Sequence, residues 1–245
     1  MAKFKWHWQS TLCGAVFASG LAHATIDIAS APLETGSTVD PNIFFIIDDS
    51  GSMLQGMMPE DLENNASVNN SCSQQSYAGL SVCYYDMTGR AYLASPHLNK
   101  MYYNPDITYP VPVAGDGTSF GAASFTAARV DGYSSSSATV NLSNNYRAIM
   151  AAGSVGTGAI TTFAISPNAA PSQAFFYRYT PGCINSVHSN SCYTIQYVDT
   201  AAQQQNFANW FSYHRTRLLA AKAGIGSAFH QQSTAMRVGY GRSIE

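Results

Sequence analysis

The stretch Asn42-Ile43-Phe44-Phe45-Ile46-Ile47-Asp48-Asp49-Ser50-Gly51-Ser52-Met53 decides how this chain is read. Ile43 to Ile47 is an unbroken apolar, β-branched and aromatic run between Pro41-Asn42 and a polar turn. Such a run predicts a central parallel strand buried on both faces. Its exit carries Asp48, Ser50 and Ser52 at alternate positions, so one carboxylate and two hydroxyls can converge above the end of the strand. Hard divalent cations take oxygen ligands, and open parallel sheets hold ligands at the carboxyl ends of their strands. Gly51 lets the backbone turn between the two serines. Two neutral hydroxyls and one carboxylate leave the ion short of negative charge and able to accept an acidic group from a partner. That is a binding device rather than a catalytic one. The plainer reading is a polar turn in which Asp or Ser caps the following helix.

Two enzyme readings fail on the residues, and no enzyme is expected. A haloacid-dehalogenase-like phosphatase also ends a strand in a nucleophilic aspartate, but needs a second acid two residues on, where Ser50 stands. A serine hydrolase elbow needs Gly-x-Ser-x-Gly, and Asp48 occupies the first glycine position relative to Ser50.

The rest of the chain sets the context. Its 245 residues are 46% hydrophobic, enough to bury a core, yet only 11% are charged, against about a quarter in ordinary soluble domains. Scarce charge with abundant Ser, Asn, Thr, Tyr and Gly suits an exported protein. A net charge of -2 without clustered Lys or Arg removes nucleic acid as a partner. Lys3 and Lys5, the apolar stretch Leu12 to Leu21, and Ala22-His23-Ala24 predict a secretory leader over 1–24. That stretch is about half the roughly 20 residues a spanning helix needs, and no later segment is long and apolar enough to be transmembrane. Cys13 lies within the leader without a lipoprotein pattern around it.

Beyond the leader, Cys72, Cys83, Cys183 and Cys192 remain. In an oxidising compartment an even number reads as disulfides, and of three possible connectivities the two local bridges, Cys72 with Cys83 and Cys183 with Cys192, are favoured. Neither spacing is the tight pair of a zinc site.

Thr25 to Pro41 is a polar lead-in interrupted by Pro32 and Pro41. Gln55 to Thr200, rich in Asn, Ser, Gly and Tyr, predicts short strands and long loops, with Ser134 to Ser137 mobile. Phe175 to Tyr179 and Tyr193 to Val198 flank the second cysteine pair and predict a hairpin closed by it. Its tyrosines suit a packing cluster better than a sugar-binding face. Residues 203–230 hold no proline, and Phe207, Trp210, Phe211, Leu218, Ile225 and Phe229 include an apolar stripe at helical spacing, which predicts one amphipathic helix. His214, on that helix, is assigned no chemistry. Met236 to Gly241 predicts a second strand.

Residues 43–53 resemble the metal-ion-dependent adhesion motif of von Willebrand factor A domains, an apolar strand running into Asp-x-Ser-Gly-Ser and then Met. The leader, Tyr102-Tyr103-Asn104-Pro105 and Phe207-Ala208-Asn209-Trp210-Phe211-Ser212-Tyr213-His214-Arg215-Thr216-Arg217 resemble the N-terminal region of the PilY/PilC family of type IV pilus tip-associated adhesins. The resemblance implies an α/β fold: a partial, Rossmann-like A domain with a parallel sheet, interrupted by a large β- and loop-rich insertion. It divides the chain into the leader (1–24), first strand and metal loop (25–58), insertion with two disulfides (59–199), and first helix and second strand (200–245).

The same resemblance implies an exported type IV pilus biogenesis or adhesion protein, at the periplasm, outer-membrane surface or pilus tip of a Gram-negative bacterium. Its partners would be pilus components or a host-surface protein. The cofactor would be Mg²⁺, with Ca²⁺ or Mn²⁺ as alternatives, held through water by Asp48 and directly by Ser50 and Ser52. A complete A domain adds a threonine and an aspartate from later loops, which have no counterpart here, and the family's C-terminal propeller is absent from this chain. The alternatives are a secreted structural surface protein with a vestigial metal loop and a secreted hydrolase.

Overall fold

The strands, in chain order, are β1 (Asn42–Asp48), β2 (Ser73–Tyr77), β3 (Leu80–Tyr84), β4 (Ala128–Arg129), β5 (Thr139–Val140), β6 (Ala148–Gly153), β7 (Ile160–Ile165), β8 (Phe175–Tyr179), β9 (Tyr193–Tyr197) and β10 (Arg237–Ser243). Helices α1 (Ala201–Tyr213) and α2 (Arg217–His230) lie between β9 and β10. This is a computed structural model that describes residues 42–48, 50–54, 56–59, 73–77, 80–84, 90–153, 160–165, 172–232 and 236–243. The expected leader (1–24) and lead-in (25–41) lie outside the described residues. Among those described, the fold is mixed α/β, with strands paired two by two: β1 with β10 in parallel, and β2–β3, β4–β5, β6–β7 and β8–β9 antiparallel.

Helix α1 is the axis of the core. The Thr200 hydroxyl caps it by accepting the Gln203 N–H at 3.2 Å. Every residue from Phe207 to Tyr213 is then buried, so this half of the helix is surrounded by protein rather than lying on a surface. Phe207 meets Tyr103, Trp210 and Tyr146 at ring-centroid distances of 4.8, 4.9 and 5.2 Å, tilted or edge-on as aromatic quadrupoles favour. The buried Tyr102 hydroxyl donates to the Phe175 carbonyl at 2.8 Å and lies 3.0 Å from the Tyr146 hydroxyl. Burial pushes its pKa far up, so it remains a donor.

The polar side chains of α1 satisfy the loops that wrap it. Asn206 accepts from Tyr109 N and donates to Ile107 O, both at 2.7 Å. Asn209 accepts from Ala123 N and donates to Tyr109 O, both at 3.1 Å. The Trp210 indole donates to Met101 O at 3.0 Å, and the Tyr213 hydroxyl reaches Gly121 O at 2.9 Å. Irregular backbone can be buried here because these loop groups find partners on the helix.

The single helix expected over 203–230 is in fact two. The break falls at His214–Thr216, where the Thr216 hydroxyl accepts the Leu219 N–H at 3.2 Å and caps α2. Arg215 is buried, its guanidinium over the Phe211 ring at 4.5 Å and donating to the Phe211 carbonyl. A threonine cap and an inward-turned arginine outweigh the continuous helical spacing. His214 is half-buried, with Nε2 3.1 Å from Pro110 O and its pKa lowered mainly by burial.

Strand β1 differs from expectation in one respect. The parallel partner at the chain's end is present, in register from Asn42↔Arg237 to Asp48↔Ser243. However, β1 is not buried on both faces: Ile43, Phe45 and Ile47 are half-buried, with Phe45 packed on Phe229 of α2 at 4.8 Å, while Phe44 and Ile46 are 67% and 71% exposed. One helix covers one face, and among the described residues β10 is the only strand beside β1.

The hairpin β8–β9 forms as expected, closed by the Cys183–Cys192 disulfide. Cys72 lies outside the described residues, as does the side chain of Cys83. Ser134–Ser137, expected to be mobile, forms a closed turn in which the Ser137 hydroxyl accepts from Asp131 N at 2.9 Å and Ser137 N donates to Ser134 O at 3.2 Å.

Phe207 touches the rings that join α1 to both the 102–103 segment and Tyr146. Phe207→Ala is expected to lower unfolding stability by about 3–5 kcal/mol, read as a shift in the urea midpoint at unchanged slope. A loss below about 1 kcal/mol would show that α1 is not the centre of the core.

Candidate metal-binding loop

Parallel pairing places the carboxyl ends of β1 and β10 on the same side, with Asp48 opposite Ser243. The chain leaves β1 through Ser50 into a single 3-10 turn over Gly51–Leu54, closed by Met53 N donating to Ser50 O at 3.0 Å. Ser50 N donates to Asp48 Oδ1 at 2.8 Å, an Asx-type turn. The Asp48 carboxyl is drawn below its usual 3.8, first by the Ser50 backbone N–H and then by the Ser50 hydroxyl, with desolvation opposing weakly. Asp48 and Ser50, two of the three expected ligands, are therefore in contact; the side chain of Ser52 lies outside the described residues.

An ionised carboxylate beside a hydroxyl is a pair of hard oxygen donors of the kind Mg²⁺ or Ca²⁺ takes. Among the described residues no cluster of three or more His, Cys, Asp or Glu side chains could hold a metal ion. Any cation here would depend on hydroxyls and water, and on donors beyond this one loop.

The loop's exit is anchored by residues that carry no functional signal in the sequence. Asn99 is fully buried; its Nδ2 donates to Gly56 O and Leu93 O at 3.0 and 2.9 Å, and its Oδ1 accepts from Met58 N and Met101 N at 3.1 Å each. All four hydrogen-bonding places of the amide are thus filled. Arg217, at the start of α2, donates through Nε and Nη2 to Met57 O at 3.1 and 2.8 Å. The segment after the 3-10 turn is tied both to the aromatic core and to the helix covering β1. An asparagine between Leu98 and Lys100 gives no hint of this in the sequence, and nothing there says which backbone it satisfies.

Comparison with known proteins bears on these elements together. PilY1, the type IV pilus biogenesis factor of Pseudomonas aeruginosa strain UCBPP-PA14, is 34% identical over 92% of this chain. The PilY1 proteins of strains PAK and PAO1 are 34% and 30% identical over 94% of it. The chain is homologous to PilY1. It spans 18% of the length of each of these relatives. No family model and no solved structure matches it. The PilY/PilC resemblance read from the leader, 102–105 and 207–217 thus extends over nearly the whole chain. Among the described residues, no helix is long and apolar enough to cross a membrane.

Two measurements test the loop. Asn99→Ala strands four backbone groups, at about 1–3 kcal/mol for each that water cannot reach, so a loss of at least about 3 kcal/mol is expected in denaturant unfolding, with Arg217→Ala milder. The Asp48 carboxyl, followed by NMR, is expected to titrate below 3.8 and to move back towards it in Ser50→Ala, which keeps only the backbone donor. Because the folded value is depressed, the carboxylate's contribution is present above the unfolded value and is lost as pH falls through the folded one. A titration at or above 3.8 would mean that the turn does not hold the carboxylate.

Proposed function

We propose that this chain is part of a type IV pilus biogenesis protein, exported from a Gram-negative cell, that engages a pilus component or a host-surface protein through a partial A-type domain. In this reading Asp48, Ser50 and Ser52 hold a hard divalent cation, Mg²⁺ first and Ca²⁺ or Mn²⁺ otherwise, and the bound ion accepts an acidic group from the partner. The role is binding, not catalysis. The observation that carries it is the parallel β1–β10 pair linked through α2, with the ionised Asp48 carboxylate and the Ser50 hydroxyl side by side at its carboxyl end. Parallel sheets bury both faces, whereas here Phe44, Ile46, Val238 and Tyr240 are all exposed. A pair left open in this way fits the opening strands of a larger doubly wound sheet, and the Rossmann-like A-domain fold supplies one.

A second reading, a structural surface protein with a vestigial metal loop, draws on the same turn: Asp48 already has a partner in the Ser50 N–H and does not need an ion to be satisfied. A secreted hydrolase has less behind it, for Asp48 and Ser50 are neither of the enzyme arrangements that this strand end could have been.

Calorimetric titration of the leader-free chain with Mg²⁺ and Mn²⁺ tests the first reading. Weak, saturable binding is expected, reduced by about tenfold or more in Ser52→Ala. Equal heats for the two proteins would overturn the site. Asp48→Ala separates the two readings in cells: loss of piliation or adhesion supports the metal, and undiminished function supports the vestigial loop.

A further inference from the structure

An open groove of about 500 Å³, none of whose lining residues belongs to the candidate metal loop, lies on the protein's surface, within the range of small-molecule sites. Three segments form it: the turn after the buried 3-10 helix Ala91–Ala94, the turn Asn104–Asp106, and β8 with the residues leading into Cys183. Its first wall is the exposed His97 ring, stacked on Tyr179 at 3.9 Å with 5° between the planes. Tyr179 supports one face of the imidazole and leaves the other outward. His97 keeps to the neutral form, its pKa lowered by desolvation and then by Lys100, which donates to the His97 carbonyl at 2.6 Å.

The second wall is an ion pair. Arg178 Nη2 lies 3.3 Å from Asp106 Oδ1, with the two side chains 46% and 69% exposed. Arg178 is steadied by Nε donating to Gln196 Oε1 at 3.0 Å, and Asp106 N donates to Asn104 Oδ1, also at 3.0 Å. Among the described residues Arg178 Nη1 and Asp106 Oδ2 make no hydrogen bond to protein, so the ion pair keeps one donor and one acceptor for a ligand.

We propose that this groove is a glycan subsite that takes a neutral hexopyranose ring, its C–H face on His97 and two adjacent hydroxyls on Asp106 and Arg178. Each sugar hydroxyl both donates and accepts, so a neighbouring pair uses a carboxylate and a guanidinium at once. A free carboxylate or phosphate would find Arg178 already neutralised and Asp106 repelling it. A purely aliphatic ligand would desolvate the ion pair without replacing its water. The frame is preformed: Ser95 is fully buried, and the disulfide fixes the 183–192 loop beside it, so little ordering opposes binding. The tyrosines of this hairpin therefore divide. Tyr193 packs inward at 8% exposure, while Tyr177 and Tyr179 line the groove. The groove does not depend on the metal loop.

The test is NMR titration of the oxidised, leader-free chain with methyl β-galactopyranoside, methyl α-mannopyranoside and N-acetylglucosamine, with and without EDTA. At least one is expected to give saturable shifts centred on 95–97, 104–106 and 177–182, unchanged by EDTA. Affinity should fall about tenfold or more in Arg178→Lys and in Asp106→Asn, both surface changes that keep the fold, while Ser52→Ala has no effect. No saturable shift with any of the three sugars, affinity in both variants undiminished from that of the unaltered chain, or saturation of the same residues by a proline-rich peptide alone would overturn the proposal. Loss of the response with EDTA would assign it to the metal loop instead.

Discussion

The constraint on which the rest of the structure depends is that irregular backbone can be buried only if each of its polar groups finds a partner. This chain meets it with a helix rather than a sheet. One side of α1 carries Phe207, Trp210 and Phe211 into the ring cluster, while Asn206, Asn209 and the Trp210 and Tyr213 polar tips reach loop groups between Met101 and Ala123. Apolar area drives this burial, and the side-chain hydrogen bonds decide which loop conformation is buried, because any other would strand N–H and C=O groups. A chain with so few charges depends on amide and hydroxyl partners for this, which accounts for the role of Asn99 beside the candidate metal loop.

Support falls off towards the β1–β10 pair. It is held to α2 on one face by contacts such as Phe45 on Phe229, and its entry to the core passes through Met57, Asn99 and Arg217. The opposite face sets Phe44 against Gly239, where an added Cβ would come within 2.5 Å of the ring. The glycine leaves room for the ring to lie across the strands, so this side is shaped like a packing surface although Phe44 is exposed. The aromatic core around α1 is closed on itself, whereas the parallel pair presents one apolar face outward. The two parts meet at the 56–58 segment, so a disturbance at Asn99 would be felt in both.

What the sequence made legible was local. An apolar run bounded by Pro41 and Asp48 marked β1, its counterpart marked β10, and two cysteines nine residues apart marked the hairpin, because each signal lies within a few residues of the element it specifies. The helix break was not legible. Thr216 caps α2 and Arg215 turns inward, and both choices depend on what surrounds α1, which helical spacing does not encode. The exposure of Phe44 and Ile46 was missed for a related reason: an unbroken apolar run reports a strand that calls for two covers, not how many covers are present. Asp48 and Ser50 could be picked out because alternate oxygen-bearing residues after a strand have one obvious meeting point. The groove at His97, Asp106 and Arg178 could not, since its residues come from three distant segments and each alone is an ordinary polar residue.

The two proposed recognition sites differ in their electrostatics, and the low charge content of the chain keeps that difference local. At the candidate metal loop the exposed Asp48 carboxylate is held in the ionised form by Ser50, so that a cation would suit it better than a neutral ligand. At the groove the charges are paired and the histidine is neutral, so an ion gains little, while a ligand with many hydroxyls can use every free donor and acceptor without a net charge to desolvate. A surface rich in clustered Lys or Glu would attract counter-ions and polyelectrolytes to both places alike. With 11% charged residues spread over 245, long-range attraction is weak, and selectivity at each place must come from contact geometry.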